Sequence, residues 1–353
     1  MKKRIRNIVK ALKEKGLEAI LIHSPANISY LIPEANIDGY LLLSTKKKAL
    51  FTDARFTTAL QKTCRAAGID LIEYKFNIFE FIAKKISGFS FKSLGIEDSG
   101  LSYKEFKEIE KKLSKINLVC SPASGIVEDF RQIKDKSEIN KIVQSAKISL
   151  QALQFAKQIT YPGMNEKYLA LQIESFLKLK GDQELAFQPI VATGISSCEP
   201  HHNPANKIIT ENQPVLIDLG SKYYGYCADL TRVFFLSKMP KYIKKVFNIV
   251  KSARQMSIEK IRAGRKIKLI DKTARDYISK KGFGKYFIHS TGHGVGLQVH
   301  EKPYINARNQ EKLQEGMVLA IEPAIYIPGK FGIREESMVL VKKRGCEVLD
   351  ERI

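Results

Sequence analysis

The chain has 353 residues, 44% of them hydrophobic, and a formal charge of +22 at neutral pH. That length is enough for two domains with sizeable cores, and no apolar run approaches the roughly 18 residues of a transmembrane helix, which argues against a membrane partner. The basic residues are dispersed, with Lys2-Lys3-Arg4 and Lys46-Lys47-Lys48 as the longest runs, so the charge predicts a solvated lysine-rich surface and no specific nucleic-acid partner.

The opening MKKRIRNIVKALKEKGLEAILI is basic, but Lys10, Lys13 and Lys15 interrupt any signal-like core, and Ile5, Ile8, Val9 and Leu12 share one helical face. A cytoplasmic protein is expected. The strand-like LEAILIH comes next, then the strands GYLLL and KALFTD and a helix after Asp53. The strand IDLIEY, the helix NIFEFIAKKI and the strand SLGIE follow, then the helix SYKEFKEIEKKL and a last strand, INLVC. This alternation predicts an α/β layer domain over residues 1–125. It offers no nucleophile-base pair and no phosphate loop; His23 reads as a packing residue, and Tyr30, Asp53 and Arg55 read as structural.

The turn-rich SPASG at 121–125 predicts the junction, with a second domain over 126–353. There Asp135-Lys136-Ser137-Glu138 reads as a capping box opening a long helix whose stripe is Ile139, Ile142, Val143, Ala146 and Leu153. Tyr161-Pro162-Gly163 ends it, EKYLALQIESFLKLKG makes a second helix, and further helices are expected near 239–262 and 269–281. Helices beside antiparallel hairpins predict an α+β domain.

Two segments carry the chemistry. VLIDLGSKYYGYCADLTRVFF and LAIEPAIYIPGKFGIREESMVL each read as a β-hairpin, apolar and β-branched runs broken by a Gly- or Pro-containing turn. Asp218 faces Asp229 if the first turn centres between Tyr223 and Tyr224. Glu322 faces Glu336 if the second centres on Gly329. Like charges opposite each other destabilise a sheet, and inside apolar runs an unpaired charge is costlier still. A solvated strand-end carboxylate would be unremarked alone; two such pairs call for a cation.

Five of the six histidines lie in the second half: His201, His202, His289, His293 and His300. His293 is flanked by Gly292 and Gly294, which would let backbone and side chain approach a ligand closely; the glycine spacing is not that of a dinucleotide loop. The five cysteines are scattered without a CxxC pair, which excludes a zinc motif and a disulfide framework. Cys198 lies near His201 but lacks an orienting third group for thiol catalysis. Four carboxylates with an imidazole form a hard donor set suited to two divalent ions such as Mn, Co, Fe or Zn. Such a pair activates water and polarises a carbonyl, so hydrolysis is the natural reaction, with His201 and His300 as candidate proton carriers.

At this point the chain resembles the pita-bread metallopeptidases: methionine aminopeptidases, Xaa-Pro aminopeptidases, prolidases and creatinase. The resemblance is carried by PIVATGISSCEPHH (189–202), VLIDLG (215–220), GYCADLTR (225–232), STGHGVGLQVHEKP (290–303), GMVLAIEPAIYIPG (316–329) and GIREES (332–337). GLEAILIHSPANISYL and ALFTDARFT are similar to the creatinase-type N-terminal domain. The resemblance implies a creatinase-like α/β N-terminal domain followed by an α+β pita-bread catalytic domain. It implies that Asp218 binds one metal, that His293 and Glu322 bind the other, and that Asp229 and Glu336 bridge. It implies that His201 contacts substrate and the tetrahedral intermediate, that His300 sits near the leaving group, and that Glu322 moves the proton of a metal-bridging hydroxide. Arg334 matches an arginine near substrate, with a supporting salt bridge as its other reading. Departures occur at Gln298, often acidic in relatives, and at Glu335 and Ser337, where an apolar residue and Asp are usual. Loss of that Asp carboxylate beside Glu336 is expected to tune metal affinity.

The expected activity is hydrolysis of Xaa-Pro bonds in proline-containing peptides, by an aminopeptidase or a dipeptidase with two divalent ions per chain, Mn or Co first, Fe or Zn next. The resemblance also implies a homodimer, which together with the N-terminal domain would set substrate length. The alternatives are a methionine-aminopeptidase-like exopeptidase, against which the N-terminal domain speaks, and a non-catalytic pita-bread binding protein, against which the full ligand set speaks.

Overall fold

The computed structural model describes residues 1–33, 37–89, 91–182 and 184–350. They form two compact units, Met1–Arg131 and Gln132–Ile353. The first runs α1 (Lys2–Glu14), β1 (Ala19–Ile22), α2 (Pro25–Leu31), β2 (Gly39–Ser44), β3 (Lys48–Thr52), α3 (Ala54–Ala67) and β4 (Asp70–Glu73). It continues with α4 (Ile78–Ser87), β5 (Ser93–Ile96), α5 (Tyr103–Ser114), β6 (Val119–Pro122) and α6 (Ile126–Arg131). The strands make one mixed sheet in the order β4-β3-β2-β1-β5-β6. Its central strands β1 and β2 are buried throughout, which is why they read as unbroken apolar runs and not as alternation.

The residues set aside as structural are so used. Asp53 caps α3 by accepting the Arg55 N–H at 2.8 Å and also accepts from Arg55 Nε at 2.9 Å. Tyr30 is buried beneath the Arg4 guanidinium, and the His23 ring stacks on Tyr40. The junction differs from the expectation. SPASG supplies the end of β6 and the lead into α6, so the first unit closes at Arg131. A polar knot holds α6 there: Arg131 Nη1 donates to Asn27 Oδ1 at 2.7 Å, and Asn27 Nδ2 donates to Glu128 Oε1 at 3.0 Å. Neither α2 nor α6 has enough turns to show a periodic stripe, and both escape a reading by periodicity.

The second unit begins with α7 (Lys136–Ile159) and α8 (Glu166–Lys180), then β7 (Ile190–Thr193), β8 (Val215–Leu219), β9 (Lys222–Tyr223), β10 (Tyr226–Cys227) and β11 (Leu230–Phe234). After α9 (Lys241–Glu259) and α10 (Lys268–Lys280) come β12 (Gly292–Gly294), β13 (Glu301–Ile305), β14 (Val318–Ile321), β15 (Ala324–Ile327), β16 (Phe331–Arg334), β17 (Ser337–Val341) and β18 (Cys346–Val348). The predicted capping box opens α7: Glu138 N–H donates to Asp135 Oδ1 at 3.0 Å, and Asp135 N–H donates back to Glu138 Oε2 at 2.9 Å. The sheets have the orders β11-β8-β7 and β13-β12-β14-β17-β18, with β10-β9 and β15-β16 as two-stranded ribbons. Alternation sorts the faces. Ile217, Leu219, Ala320 and Leu340 pack with Ile142, Ala146 and Leu153 of α7, whereas Leu216, Val233, Ile325 and Ile333 pack with Val246, Ile249 and Ala253 of α9.

The register of the second carboxylate hairpin is as expected. Ile327 pairs Phe331 and Ala324 pairs Arg334 about Gly329, and the same register resumes with Ile321 opposite Ser337. The ladder is broken only where Glu322 and Glu336 sit. The first hairpin corrects the expectation: Asp218 pairs Thr231, not Asp229, and Tyr223 pairs Tyr226. The turn is therefore Tyr224-Gly225, at φ 49° and 77°. A two-residue hairpin turn with positive φ at both central positions matches strand twist, and glycine takes one of them without strain. Moving the turn one residue shifts pairing by two, which keeps every side chain on its face. Asp229 thus remains a same-face diagonal neighbour of Asp218.

Candidate metal centre

The carboxylates gather where both ladders are interrupted. Asp218 lies one residue inside the end of β8, Asp229 precedes β11, Glu322 lies between β14 and β15, and Glu336 lies between β16 and β17. His293 comes from the middle of β12, which pairs β14 with His293 opposite Ala320. Its glycines are required by the close approach of the neighbouring strands, and Gly292 also lines the cleft. A Cβ at Gly292 would stand 1.9 Å from the Ala320 carbonyl oxygen, and one at Gly294 would stand 2.3 Å from that of Lys302.

Carboxylate oxygens of Asp218, Asp229 and Glu336 lie within 4.8 Å of one another. His293 Nε2 is 3.5 Å from Asp229 Oδ2 and 3.6 Å from Glu322 Oε1. The His293 Nδ1 lies 3.1 Å from the Gly294 carbonyl, an acceptor that only a protonated Nδ1 can bond, so Nε2 keeps its lone pair toward the carboxylates. Burial and then the nearby His300 push the His293 imidazolium down to about 3, and the ring is neutral and free to ligate.

Burial, followed by Glu336, Asp218 and Glu322, holds the Asp229 carboxyl well above the usual range. Burial, then Asp218 and Glu322, does the same to Glu336. Burial pushes Glu322 up to about 8, with Arg334 opposing and Asp218 adding. A web of donors fixes the group. Thr231 Oγ1 donates to Glu336 Oε2 at 2.7 Å and accepts from Arg334 Nε at 3.0 Å. Arg334 also donates to Asp218 Oδ2 at 2.6 Å, to the Tyr326 hydroxyl at 2.6 Å and to the Pro200 carbonyl at 3.2 Å. The Arg334 guanidinium thus makes the supporting salt bridge to Asp218, and it also lines the cleft.

Four carboxylates against one guanidinium leave excess negative charge. Asp218 Oδ1 and Glu336 Oε1 are buried without a hydrogen-bond donor among the described residues. An ionised carboxylate in that position costs several kcal/mol unless a cation meets it, so the donor set fits divalent metal. His300 stands edge-on to His293 with ring centroids 4.2 Å apart, and it forms a second possible donor trio with Asp229 and His293. His201 is exposed, and both line a cleft of about 1030 Å³ that all five predicted ligands also line; Phe187, Ile288, Leu297 and Tyr304 form apolar parts of its wall.

Other residues of the site had no role assigned from sequence. Tyr326 links Arg334 to His289 Nε2, 3.2 Å from its hydroxyl, and burial pushes that hydroxyl up to about 12. Thr231 lies inside GYCADLTR, yet its role follows only from the corrected register. Cys198 makes no thiol-histidine contact among those observed; its 3₁₀ turn (Gly194–Cys198) is tied to β16 by Gly332 N–H donating to Ser197 Oγ at 2.8 Å.

Hard oxygen donors, buried together and short of cationic partners, define the class as a metallohydrolase. Residues 140–343 match Metallopeptidase family M24, and residues 4–133 match the Creatinase/Prolidase N-terminal domain. The chain belongs to metallopeptidase family M24, with a creatinase-type N-terminal domain ahead of a pita-bread catalytic domain. It is 31% identical to a protein from Pyrococcus horikoshii named Xaa-Pro dipeptidase, over 99% of this chain and 97% of that one. Among solved structures it is similar to an Xaa-Pro dipeptidase from Bacillus anthracis, with TM-score 0.94 and 32% identity over 99% and 98% of the two chains. It is also similar to an X-Pro aminopeptidase from Thermotoga maritima, with TM-score 0.86 and 33% identity over 96% of each.

Proposed function

We propose that the chain is a metal-dependent exopeptidase that hydrolyses Xaa-Pro bonds, with Asp218, Asp229, His293, Glu322 and Glu336 as donors to two divalent ions. The convergence of these five side chains, from the two hairpins and β12, on one cleft carries the reading. When bound, such ions supply an activated water and polarisation of the scissile carbonyl.

The chain's own groups do the rest. Glu322 lies at the edge of the carboxylate group and lines the cleft, placed to accept a proton from attacking water and deliver it to the prolyl nitrogen as the C–N bond breaks. His201 and His300, both facing the cleft, donate hydrogen bonds to the oxygen that gains charge and to the leaving-group side. Arg334 holds Asp218, and Thr231 holds Glu336, so that neither carboxylate turns away when the other ligands move. The apolar wall around Phe187, Ile288 and Leu297 suits a side chain and a proline ring.

The finer reading is a cytoplasmic homodimer using Mn or Co, with Fe or Zn as lesser choices. Among the described residues no helix is long and apolar enough to cross a membrane. Relatives named as dipeptidase and as aminopeptidase match at 32% and 33% identity, so the test must separate them. Purified protein loaded with each metal is given Xaa-Pro and Xaa-Pro-Yaa peptides. Cleavage of either supports the peptidase, and their ratio assigns the type; no turnover across the panel with any metal overturns it.

A further inference from the structure

The resemblance implies Asp at position 337, where GIREES carries Ser337, and the expected consequence is the loss of a carboxylate beside Glu336. The structure puts one there from elsewhere in the chain. The Asp350 side chain is wholly buried. Its Oδ2 accepts from Ser337 Oγ at 3.0 Å and its Oδ1 accepts from Met338 N–H at 3.0 Å. Arg232 Nη2 donates to the same carboxylate, while Arg232 Nη1 donates to the carbonyls of Glu336 and Thr231.

We infer that Asp350 is a positioning residue for Glu336: it replaces a carboxylate at 337 by aiming Arg232 at the Glu336 backbone. The inference rests on the reading of Glu336 as a metal donor. The chain of contacts is short. Glu336 N–H donates to the Thr231 carbonyl at 3.1 Å, Thr231 Oγ1 donates to Glu336 Oε2, and Arg232 closes the other side of the peptide. Glu336 is therefore held at its N–H, its carbonyl and one carboxylate oxygen, leaving Oε1 without a donor among the described residues. Arg232 is one-quarter exposed, and a guanidinium without an anion is better solvated outside. Asp350 is the carboxylate that hydrogen-bonds it directly, with Glu335 also facing it, and charge-assisted hydrogen bonding of this kind fixes geometry. A carboxylate on residue 337 could reach the same place, since Ser337 Oγ already touches Asp350 Oδ2.

The test is a calorimetric titration of metal-free protein with Mn²⁺ and with Co²⁺, which reads affinity without turnover. Asp350→Asn is expected to weaken binding of at least one ion about 10–100-fold with two ions still bound, the effect typical of groups that orient a ligand. Ser337→Asp combined with Asp350→Asn is expected to return affinity to within about twofold of wild type, since a restored pair leaves no residual coupling. If Asp350→Asn does not fold, Arg232→Gln is read by the same titration and should show the same loss. Equal affinities in wild type and variant overturn the inference alone. So does a loss that Ser337→Asp fails to reverse, which would mean general loosening. A wild type that binds no divalent ion overturns the inference together with the metallopeptidase reading beneath it.

Discussion

The two carboxylate hairpins use one device with unequal legibility. Each keeps a single register from its turn to its base, and each breaks its ladder where acidic side chains must turn toward a common point. The Glu322–Glu336 hairpin could be read correctly because Gly329 marks its turn unambiguously. The Asp218–Asp229 hairpin could not, because SKYYGY offers several centres and the turn chose Tyr224-Gly225, with a tyrosine at positive φ. The lesson is that a two-residue error in register preserves the face, so the chemistry inferred from facing carboxylates survived a wrong pairing. What it hid was Thr231, which stands opposite Asp218 and joins both hairpins through Glu336 and Arg334.

The largest break in this comparison is removal of a shared ligand. Asp229→Ala should lower metal-dependent turnover by at least about 10²–10³-fold, as loss of a charge-stabilising group does, while circular dichroism shows an intact fold. Unchanged turnover would refute the site. Next in size is the link between the hairpins. Thr231→Val keeps shape but removes both hydrogen bonds, and metal affinity measured by chelator competition should fall about 10–100-fold; an effect confined to melting temperature would make Thr231 a packing residue only.

The pH response sharpens the comparison, because the second hairpin holds the group with a resolved value. Folded Glu322 titrates at about 8 against an ordinary 4.5. Between those values the folded metal-free chain holds a proton that the unfolded chain has released, so this group's contribution to stability falls as pH rises across that window. Up to about pH 6.5 the buried His293 and His289, pushed down to about 3 and about 4, act in the opposite sense, so melting of the metal-free protein should show this decline between about pH 6.5 and pH 8, and added divalent metal should reverse it at the upper end. A metal-free stability that rises across this upper range would contradict it. The smallest effects belong to the turns. Gly225→Ala and Gly329→Ala place a side chain at φ 77° and 71°, and each should cost about 1–2 kcal/mol in denaturant unfolding with little change in metal affinity.

Much else of the fold was visible in the sequence where local physics decides it. The capping box at Asp135, the α7 stripe and the alternating elements of the first unit follow from propensity and periodicity. What stayed hidden depends on distant contacts. Arg232 and Asp350 are far apart in sequence and meet only through β17. The Arg334 contacts with Asp218, Tyr326 and Thr231 likewise join residues distant in sequence or paired only through the folded sheets. The boundary moved from SPASG to Arg131 because the tie to Asn27 is tertiary.

The central claim is that five side chains on two broken hairpins and β12 hold two divalent ions. The metal content of purified protein, loaded with Mn²⁺ and freed of excess by gel filtration, tests it most directly. The account predicts two ions per chain in the wild type and fewer in Asp229→Ala. Wild-type protein that retains none would contradict it.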